Sequence, residues 1–149
     1  MVFEHDFKNF PELTNGQMNF YYFDSPHKQL TENFDARVVK VIDGDTIRVT
    51  MKERDFDFPI RLLKIAAPER DERGGLESQR WLASEILGKD VEIIMDQKNR
   101  VEKWGRLLGE VVFHGFNMGE MSVTFGYSVP FEERKQGGIP DFFTELDNL

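Results

Sequence analysis

The chain has 149 residues, enough for one domain with a hydrophobic core and too few for two independent cores. Its hydrophobic share of 40% and charged share of 31% argue against disorder along the whole chain. Cys is absent, which excludes disulfides, thiolate metal sites and a catalytic thiol. No run approaches the roughly 20 apolar residues of a membrane-spanning helix, and the first ten residues do not resemble a signal peptide. We therefore expect a cytoplasmic or otherwise intracellular protein without membrane contact.

The net charge of −8 opposes nonspecific binding to nucleic acid, because phosphate contacts depend on Lys and Arg. The acidic excess lies at the two ends of the chain: residues 1–35 hold two basic and six acidic residues, and residues 132–149 hold two and five. The middle of the chain is nearly neutral. This distribution predicts an aromatic-rich N-terminal arm (1–35), a folded domain (36–131) and an acidic C-terminal tail (132–149).

The arm contains Phe7, Phe10 and the aromatic run 20–23, without the period of a helix or a strand. A cluster of exposed aromatic side chains is costly in water. Two interpretations stay open: the aromatics pack back on the domain, or they bind a protein partner or a second copy of the chain.

The predicted elements follow in chain order. Strands are expected at 38–42 and 47–51, joined by an Asp-Gly turn, and a third strand at 56–65 ends before Pro68. A polar, mobile loop at 69–75 precedes a helix that presents 76, 79, 82, 83, 86 and 87 on one apolar face and ends at Gly88. Strands at 91–95 and 107–113 and a helix at 117–125 complete the domain. The order predicts an α+β fold dominated by β structure: a five-stranded Greek-key barrel of the OB type with two or three helices.

Three polar segments stand at the ends of predicted strands: Ile42-Asp43-Gly44-Asp45-Thr46, the segment 61–69 (Arg-Leu-Leu-Lys-Ile-Ala-Ala-Pro-Glu), and the segment 102–106 (Glu-Lys-Trp-Gly-Arg). Each alone has a simpler explanation, as a hairpin turn, a solvated strand residue or a strand start. Together and in this order they resemble the staphylococcal nuclease family, whose sequences carry an Asp-Gly-Asp-Thr turn, an Arg-Leu strand end closing in Asp-x-Pro-Glu, and an aromatic-Gly-Arg segment before the last strand. The resemblance covers about residues 36–131 and includes Gly126 to Phe131.

The resemblance implies Ca²⁺-dependent hydrolysis of phosphodiester bonds in DNA or RNA. Carried over position by position, Asp45 and the backbone carbonyl of Ala67 would be metal ligands, with Asp43 as a further candidate. Arg61 and Arg106 would grip the phosphate, where a planar guanidinium suits two oxygens at once.

Three further residues receive roles by the same resemblance. Glu69 would orient or deprotonate the attacking water. Lys103 would contact the phosphate and Trp104 would offer a flat surface to the substrate. A solvated charge and a partly buried aromatic are the alternatives for these last two.

One position departs from the family pattern. Where the family has a metal-binding Asp, two residues before the Pro, this chain has Ala66. Ca²⁺ prefers about six to eight oxygen ligands, so its affinity for the remaining set should be low. Two functions stay open: a nuclease weakened by the lost ligand, or a catalytically degenerate barrel that serves as a nucleic-acid-binding or adaptor subunit.

Overall fold

The computed structural model describes residues 4–102 and 105–135. Within them the elements are α1 Asn15–Tyr21, β1 Phe34–Asp43, β2 Thr46–Thr50, β3 Phe58–Leu62, β4 Ile65–Ala66, α2 Gly75–Ile86, β5 Asp90–Ile94, β6 Leu107–Phe113, β7 Phe116–Asn117, α3 Met118–Thr124, β8 Val129–Pro130 and α4 Phe131–Lys135. A single 3₁₀ turn, Tyr22–Asp24, follows α1 in this part of the chain.

Five strands form a closed barrel. Their order is β3-β2-β1-β5-β6, and each neighbouring pair is antiparallel. Parallel pairing of β3 with β6 closes the barrel, with Ile60 opposite Leu107 and Arg61 opposite Leu108. Closure removes the free strand edges of an open sheet. The predicted β-dominated OB-type barrel is thereby confirmed.

Alternating apolar residues fill the barrel. Val38, Ile47, Val49 and Ile93 are fully buried, because successive strand side chains point to opposite faces and every second one enters the core. Helix α2 packs on β1 and adds Leu82 and Ile86 to the same core. Gly88, which has a φ of 77°, follows the end of the helix as predicted. Leu76 and Leu87, expected on the apolar face, are instead 38% and 48% exposed at the two ends of the helix.

The third strand is shorter than the sequence predicts. The chain turns at Leu63 and Lys64, and Lys64 has a φ of 69°, so the predicted strand over 56–65 divides into β3 and β4. The β4 strand leaves the barrel and pairs with β8, where Ala66 lies opposite Val129. This turn brings Ala66 and Ala67 towards the β1–β2 hairpin.

The N-terminal segment packs against the barrel as far as the structure describes it. Thr14 and Gln17 form a reciprocal capping box at the start of α1, a helix that the sequence analysis does not predict. Leu13 is fully buried, whereas Phe20 and Phe23 are 81% and 97% exposed. Among the described residues, no helix has the length and apolar composition needed to cross a lipid bilayer.

Candidate active site

The site is built around the tight turn between β1 and β2. Asp43 pairs with Thr46 across the hairpin, and Gly44 and Asp45 form the turn. Gly44 packs on the start of α2, since a Cβ added there would lie 1.9 Å from Ser78 Oγ. Only a residue without a side chain allows the turn to rest on α2 in this way.

Asp45 is 8% exposed, and both oxygens of its carboxylate have protein partners. Oδ1 accepts a hydrogen bond from the Thr46 hydroxyl at 3.0 Å. Oδ2 accepts one from the Ala67 backbone N–H at 3.0 Å and lies 3.4 Å from Nη2 of Arg61. The carboxylate therefore joins the hairpin turn to β3 and to the residue after β4.

Arg61 and Arg106 approach this turn from neighbouring strands. Arg61 lies opposite Thr46 in the β2–β3 register, and Arg106 immediately precedes β6, which pairs with β3. Nη1 of Arg106 donates to the Thr46 hydroxyl at 3.3 Å. Barrel closure thus brings two guanidinium groups, 45 positions apart in the chain, to the adjacent residues Asp45 and Thr46.

The carboxylate of Glu102 is a second partner of Arg106 and offsets the charge of its guanidinium. Its Nε donates to Oε1 of Glu102, and its Nη2 donates to Oε2 of the same carboxylate at 3.2 Å. This two-point pairing is the geometry with which an arginine also binds a phosphate. Glu102 accordingly occupies the donor atoms that the sequence analysis assigns to the substrate.

Asp43 lies half-buried at the end of β1. Burial raises the pKa of its carboxyl above the ordinary value, and the nearby charge of Asp45 raises it further, while Arg70, Arg106 and Arg61 oppose the rise. Arg70 is the residue that the sequence analysis misses in this group; its position directly after Glu69 was the available signal. The cluster of opposed charges at this site comprises Asp43, Asp45, Arg61, Arg70, Glu102 and Arg106.

The remaining predicted residues stand as follows. Ala67 is buried, with its N–H bound to Asp45. Glu69 is exposed just beyond it, and its own N–H donates to Oε1 of Glu72 at 3.0 Å. Two residues of chain keep the Cα atoms of Ala67 and Glu69 within about 8 Å of each other. Lys103 and Trp104 lie outside the described residues.

A cavity of about 470 Å³ opens beside Arg61. Leu62, Leu108 and Phe131 contribute apolar surface, and Glu102 lies on the polar side. Its size falls within the range of small-molecule sites in proteins. The cavity and the cluster of opposed charges share Arg61 and Glu102, so a molecule held by the guanidinium could extend into the cavity.

The residues present do not fit a tight Ca²⁺ site. Ala66 is buried and its methyl side chain supplies no ligand atom, and both Asp45 oxygens already accept from protein donors. Across residues 4–102 and 105–135, no group of three or more His, Cys, Asp or Glu side chains is arranged to hold a metal ion. Asp43, Asp45 and one carbonyl fall short of the six to eight oxygens that Ca²⁺ prefers.

Thr46 and Glu102 take part in the site, although the sequence analysis assigns them no role. Both occur inside the motifs quoted above. Thr46 bridges Asp45 and Arg106, and Glu102 pairs with Arg106. Their partners come from other strands or depend on how the connection to β6 folds, so the motifs alone could not reveal them.

Comparison with known proteins points to one family. A family model described as staphylococcal nuclease homologue matches residues 59–144, more than half of the chain. Two of the three polar segments, at 61–69 and 102–106, fall inside the match. The Asp43 to Thr46 turn precedes it.

Three relatives illustrate the similarity. An uncharacterized endonuclease of Escherichia coli O157:H7 is 34% identical over 105 residues, which are 70% of this chain and 65% of that protein. An uncharacterized protein of Bacillus anthracis is 30% identical over 104 residues, 66% of this chain and 48% of that protein. The micrococcal nuclease of Shigella flexneri is 32% identical over 79 residues, 53% of this chain and 42% of that protein. The chain therefore spans less than two thirds of each relative's length.

Proposed function

This chain belongs to the staphylococcal nuclease homologue family, and on that basis we propose that it hydrolyses phosphodiester bonds in DNA or RNA. One observation carries the proposal: Arg61 contacts Asp45 in the β1–β2 turn, and Arg106 contacts Thr46, the residue that follows it. A phosphodiester gains negative charge on its oxygens during hydrolysis, and donors already held in place stabilise that charge. Two guanidinium groups on a barrel wall meet this requirement.

In the proposed reaction, Arg61 and Arg106 bind the non-bridging oxygens of the phosphate. The oxygen of a water molecule forms a bond to phosphorus while the bond from phosphorus to the leaving ester oxygen breaks. Glu69, exposed to solvent beside Ala67, accepts the proton of that water, and the leaving oxygen takes up a proton from solvent. Lys103 and Trp104 are proposed to contact the substrate along its path.

The sugar or base next to the bound phosphate is proposed to enter the cavity beside Arg61. Leu62, Leu108 and Phe131 line that cavity and can pack against a ring.

The Ca²⁺ dependence implied by the family is proposed only in a weak form. With Ala66 in place of a ligand and the Asp45 oxygens engaged, any requirement for the ion should appear at millimolar concentrations or above. No step of the proposed reaction is assigned to the ion.

Cleavage of end-labelled single-stranded DNA and RNA oligonucleotides tests the proposal. Arg106→Ala and Arg61→Ala should each lower kcat/KM by about 10²-fold, the usual loss for one charge-stabilising donor. Glu69→Gln should lower kcat by about 10²- to 10⁴-fold, as for a general base. Arg48→Ala and Glu53→Gln, which change the same charges outside the site, are the matched controls. Equal cleavage by the wild type and Glu69→Gln would refute the catalytic assignment.

A barrel that binds nucleic acid without cutting it is the second candidate. The engagement of Asp45 and the presence of Ala66 favour it, because both argue against a working metal site. Salt-sensitive binding of an oligonucleotide without turnover would distinguish it from a nuclease.

An adaptor role through residues 1–35 is also proposed, because Phe20 and Phe23 are exposed on the arm. Light scattering of the wild type and of a Phe20→Ser, Phe23→Ser double variant tests self-association. A monomer in both cases would remove self-association from consideration.

A further inference from the structure

Residues 11–13 and Gln29 form a buried hydrogen-bonded brace within the N-terminal arm. The N–H of Leu13 donates to Oε1 of Gln29 at 2.5 Å, and Nε2 of Gln29 donates to the Pro11 carbonyl at 2.9 Å. Leu13 is fully buried, and Gln29 is 1% exposed. Two stretches of the arm are thus tied to each other and covered.

Glu12 connects this brace to two distant parts of the domain. Its carboxylate pairs with Arg54, between β2 and β3, and with Arg100, between β5 and β6, where Nη2 lies 3.4 Å from Oε2. The three side chains are almost completely inaccessible to solvent. Buried charges require partners, so the arm and both connections are mutually dependent.

Arg100 binds the arm at further points. Its Nη1 donates to the Leu13 carbonyl at 3.2 Å and to Oδ1 of Asn15 at 3.0 Å, and its Nε donates to the Leu30 carbonyl at 2.7 Å. Nδ2 of Asn15 in turn donates to the Gln97 carbonyl at 2.9 Å. The first part of the β5–β6 connection, residues 95–106, is therefore held by the arm.

The same connection ends at the candidate active site. The Arg100 carbonyl accepts from the Leu108 N–H at 2.7 Å, and the Arg106 carbonyl accepts from the Glu102 N–H at 2.9 Å. Gly105, with a φ of 95°, lies under Phe10, since a Cβ added there would come within 2.9 Å of the Phe10 side chain. The arm therefore touches the connection at Gln97, Arg100 and Gly105.

From these contacts we infer that the N-terminal arm positions Arg106. Phe10 covers Gly105, and Glu12 and Asn15 hold Arg100, so that the β5–β6 connection presents the guanidinium of Arg106 to Thr46 and to a phosphate. Phe10 and Asn15 are positioning residues, since neither contacts the phosphate-binding atoms. The inference rests on the proposed function only in taking a phosphate as the ligand of Arg106.

Phe10→Ala and Asn15→Ala test the inference, because replacing the buried Glu12 could prevent folding. Phe23→Ala and Asn19→Ala are the matched controls, being the same substitutions at exposed positions of the same arm. Hydrogen exchange over residues 97–108 is measured on the full chain. We expect faster exchange in the two test variants and wild-type exchange in the controls; unchanged exchange in both test variants would overturn the inference.

Binding of a fluorescent single-stranded oligonucleotide, measured in EDTA, separates positioning from general stability. Phe10→Ala should weaken binding by about three- to tenfold and Phe10→Leu should restore it, while in an Arg106→Ala background Phe10→Ala should have no further effect, because coupled residues are not additive. Additive losses would overturn the inference. If the wild type binds no oligonucleotide, the proposed function fails, and the exchange comparison still decides whether the arm holds the connection.

Discussion

Glu102 accepts hydrogen bonds from Arg106 through both of its carboxylate oxygens. The pair places an internal anion on the donors that a substrate phosphate would need. A phosphate that binds Arg106 must therefore share the guanidinium with Glu102 or displace it.

Replacing Glu102 by a neutral residue should strengthen the binding of nucleic acid. Glu102→Gln removes one negative charge beside Arg106 and leaves the guanidinium with a weaker, neutral partner. We expect a single-stranded oligonucleotide to bind about two- to fivefold more tightly at low salt, with a steeper dependence on salt concentration. Fluorescence anisotropy across a salt series measures both.

Glu110→Gln is the control for this variant, since it changes the same charge at a residue that pairs with Lys64. Weaker binding by Glu102→Gln than by the wild type would contradict the prediction. Glu102 would then be needed to orient Arg106.

Introducing a carboxylate at position 66 should create a Ca²⁺ response. Ala66 is buried and precedes Ala67, whose N–H binds Asp45, so Ala66→Asp places a carboxylate in a covered position and should lower the melting temperature in EDTA. Added Ca²⁺ should raise the melting temperature of the variant in proportion to RT ln(1 + [Ca²⁺]/Kd). Thermal melts in EDTA and in 1 to 10 mM Ca²⁺, on the order of the weak end of protein Ca²⁺ sites, measure the difference.

The wild type is the reference protein for the Ca²⁺ response, and Mg²⁺ is the control ion. The melting temperature of the wild type should change little over the same range of Ca²⁺ concentration. A wild-type shift as large as that of Ala66→Asp would mean that Asp43, Asp45 and Ala67 already form a site, contrary to the fit described above.

Because Gly44 is in close contact with α2, adding a single methyl group there should destabilise the fold. Gly44→Ala would place Cβ 1.9 Å from Ser78 Oγ and 2.8 Å from Ala67 Cβ, so the turn or the helix must move. We expect a loss of about 1–3 kcal/mol in the free energy of unfolding, as for overpacked cores. Urea denaturation with an unchanged m-value would measure it.

Gly16→Ala supplies the control for the glycine comparison. Gly16 lies in α1, and a Cβ added there would lie 4.0 Å from Thr14 Oγ1, an ordinary van der Waals distance, so Ala should be neutral or stabilise the helix by up to about 1 kcal/mol. Equal stability of the two variants would contradict the packing of the turn on α2.

The attachment of the arm should depend on pH through His27. Nε2 of His27 donates to the Pro11 carbonyl at 2.8 Å, and the ring packs against Phe56. Burial lowers the pKa of His27 below its ordinary value of 6.5, a shift that the Pro11 hydrogen bond opposes and the charge of Arg54 increases. The unfolded chain then binds the proton first, so stability is lost as pH falls below about 6.5.

Urea denaturation at pH 7.5 and pH 5.5 tests this dependence in the wild type and in His27→Gln. The wild type should lose more stability than the variant over this interval, because Gln does not titrate. His5→Gln, which alters another histidine of the arm, is the control. An identical pH dependence in the wild type and His27→Gln would assign the effect to other groups.

Local sequence patterns were sufficient to predict the barrel. Alternating apolar residues in the strands, the Asp-Gly turn and Gly88 after α2 act within a few residues of the chain, so they can be interpreted without tertiary contacts. The prediction of one continuous strand over 56–65 was wrong, because a local pattern does not show which distant strand a segment pairs with. The pairing of β4 with β8 depends on Val129, more than sixty positions away.

The sequence by itself determined the five-stranded barrel, the family resemblance and the presence of Ala66 two residues before Pro68, because each follows from local patterns in the chain. Only the tertiary structure decided that Asp45 is engaged on both oxygens, that Glu102 holds Arg106, and that Glu12 reaches Arg100 from 88 positions away. Such pairs form when barrel closure and packing of the arm bring distant side chains together. Their energy depends on distance and burial, which no local pattern encodes.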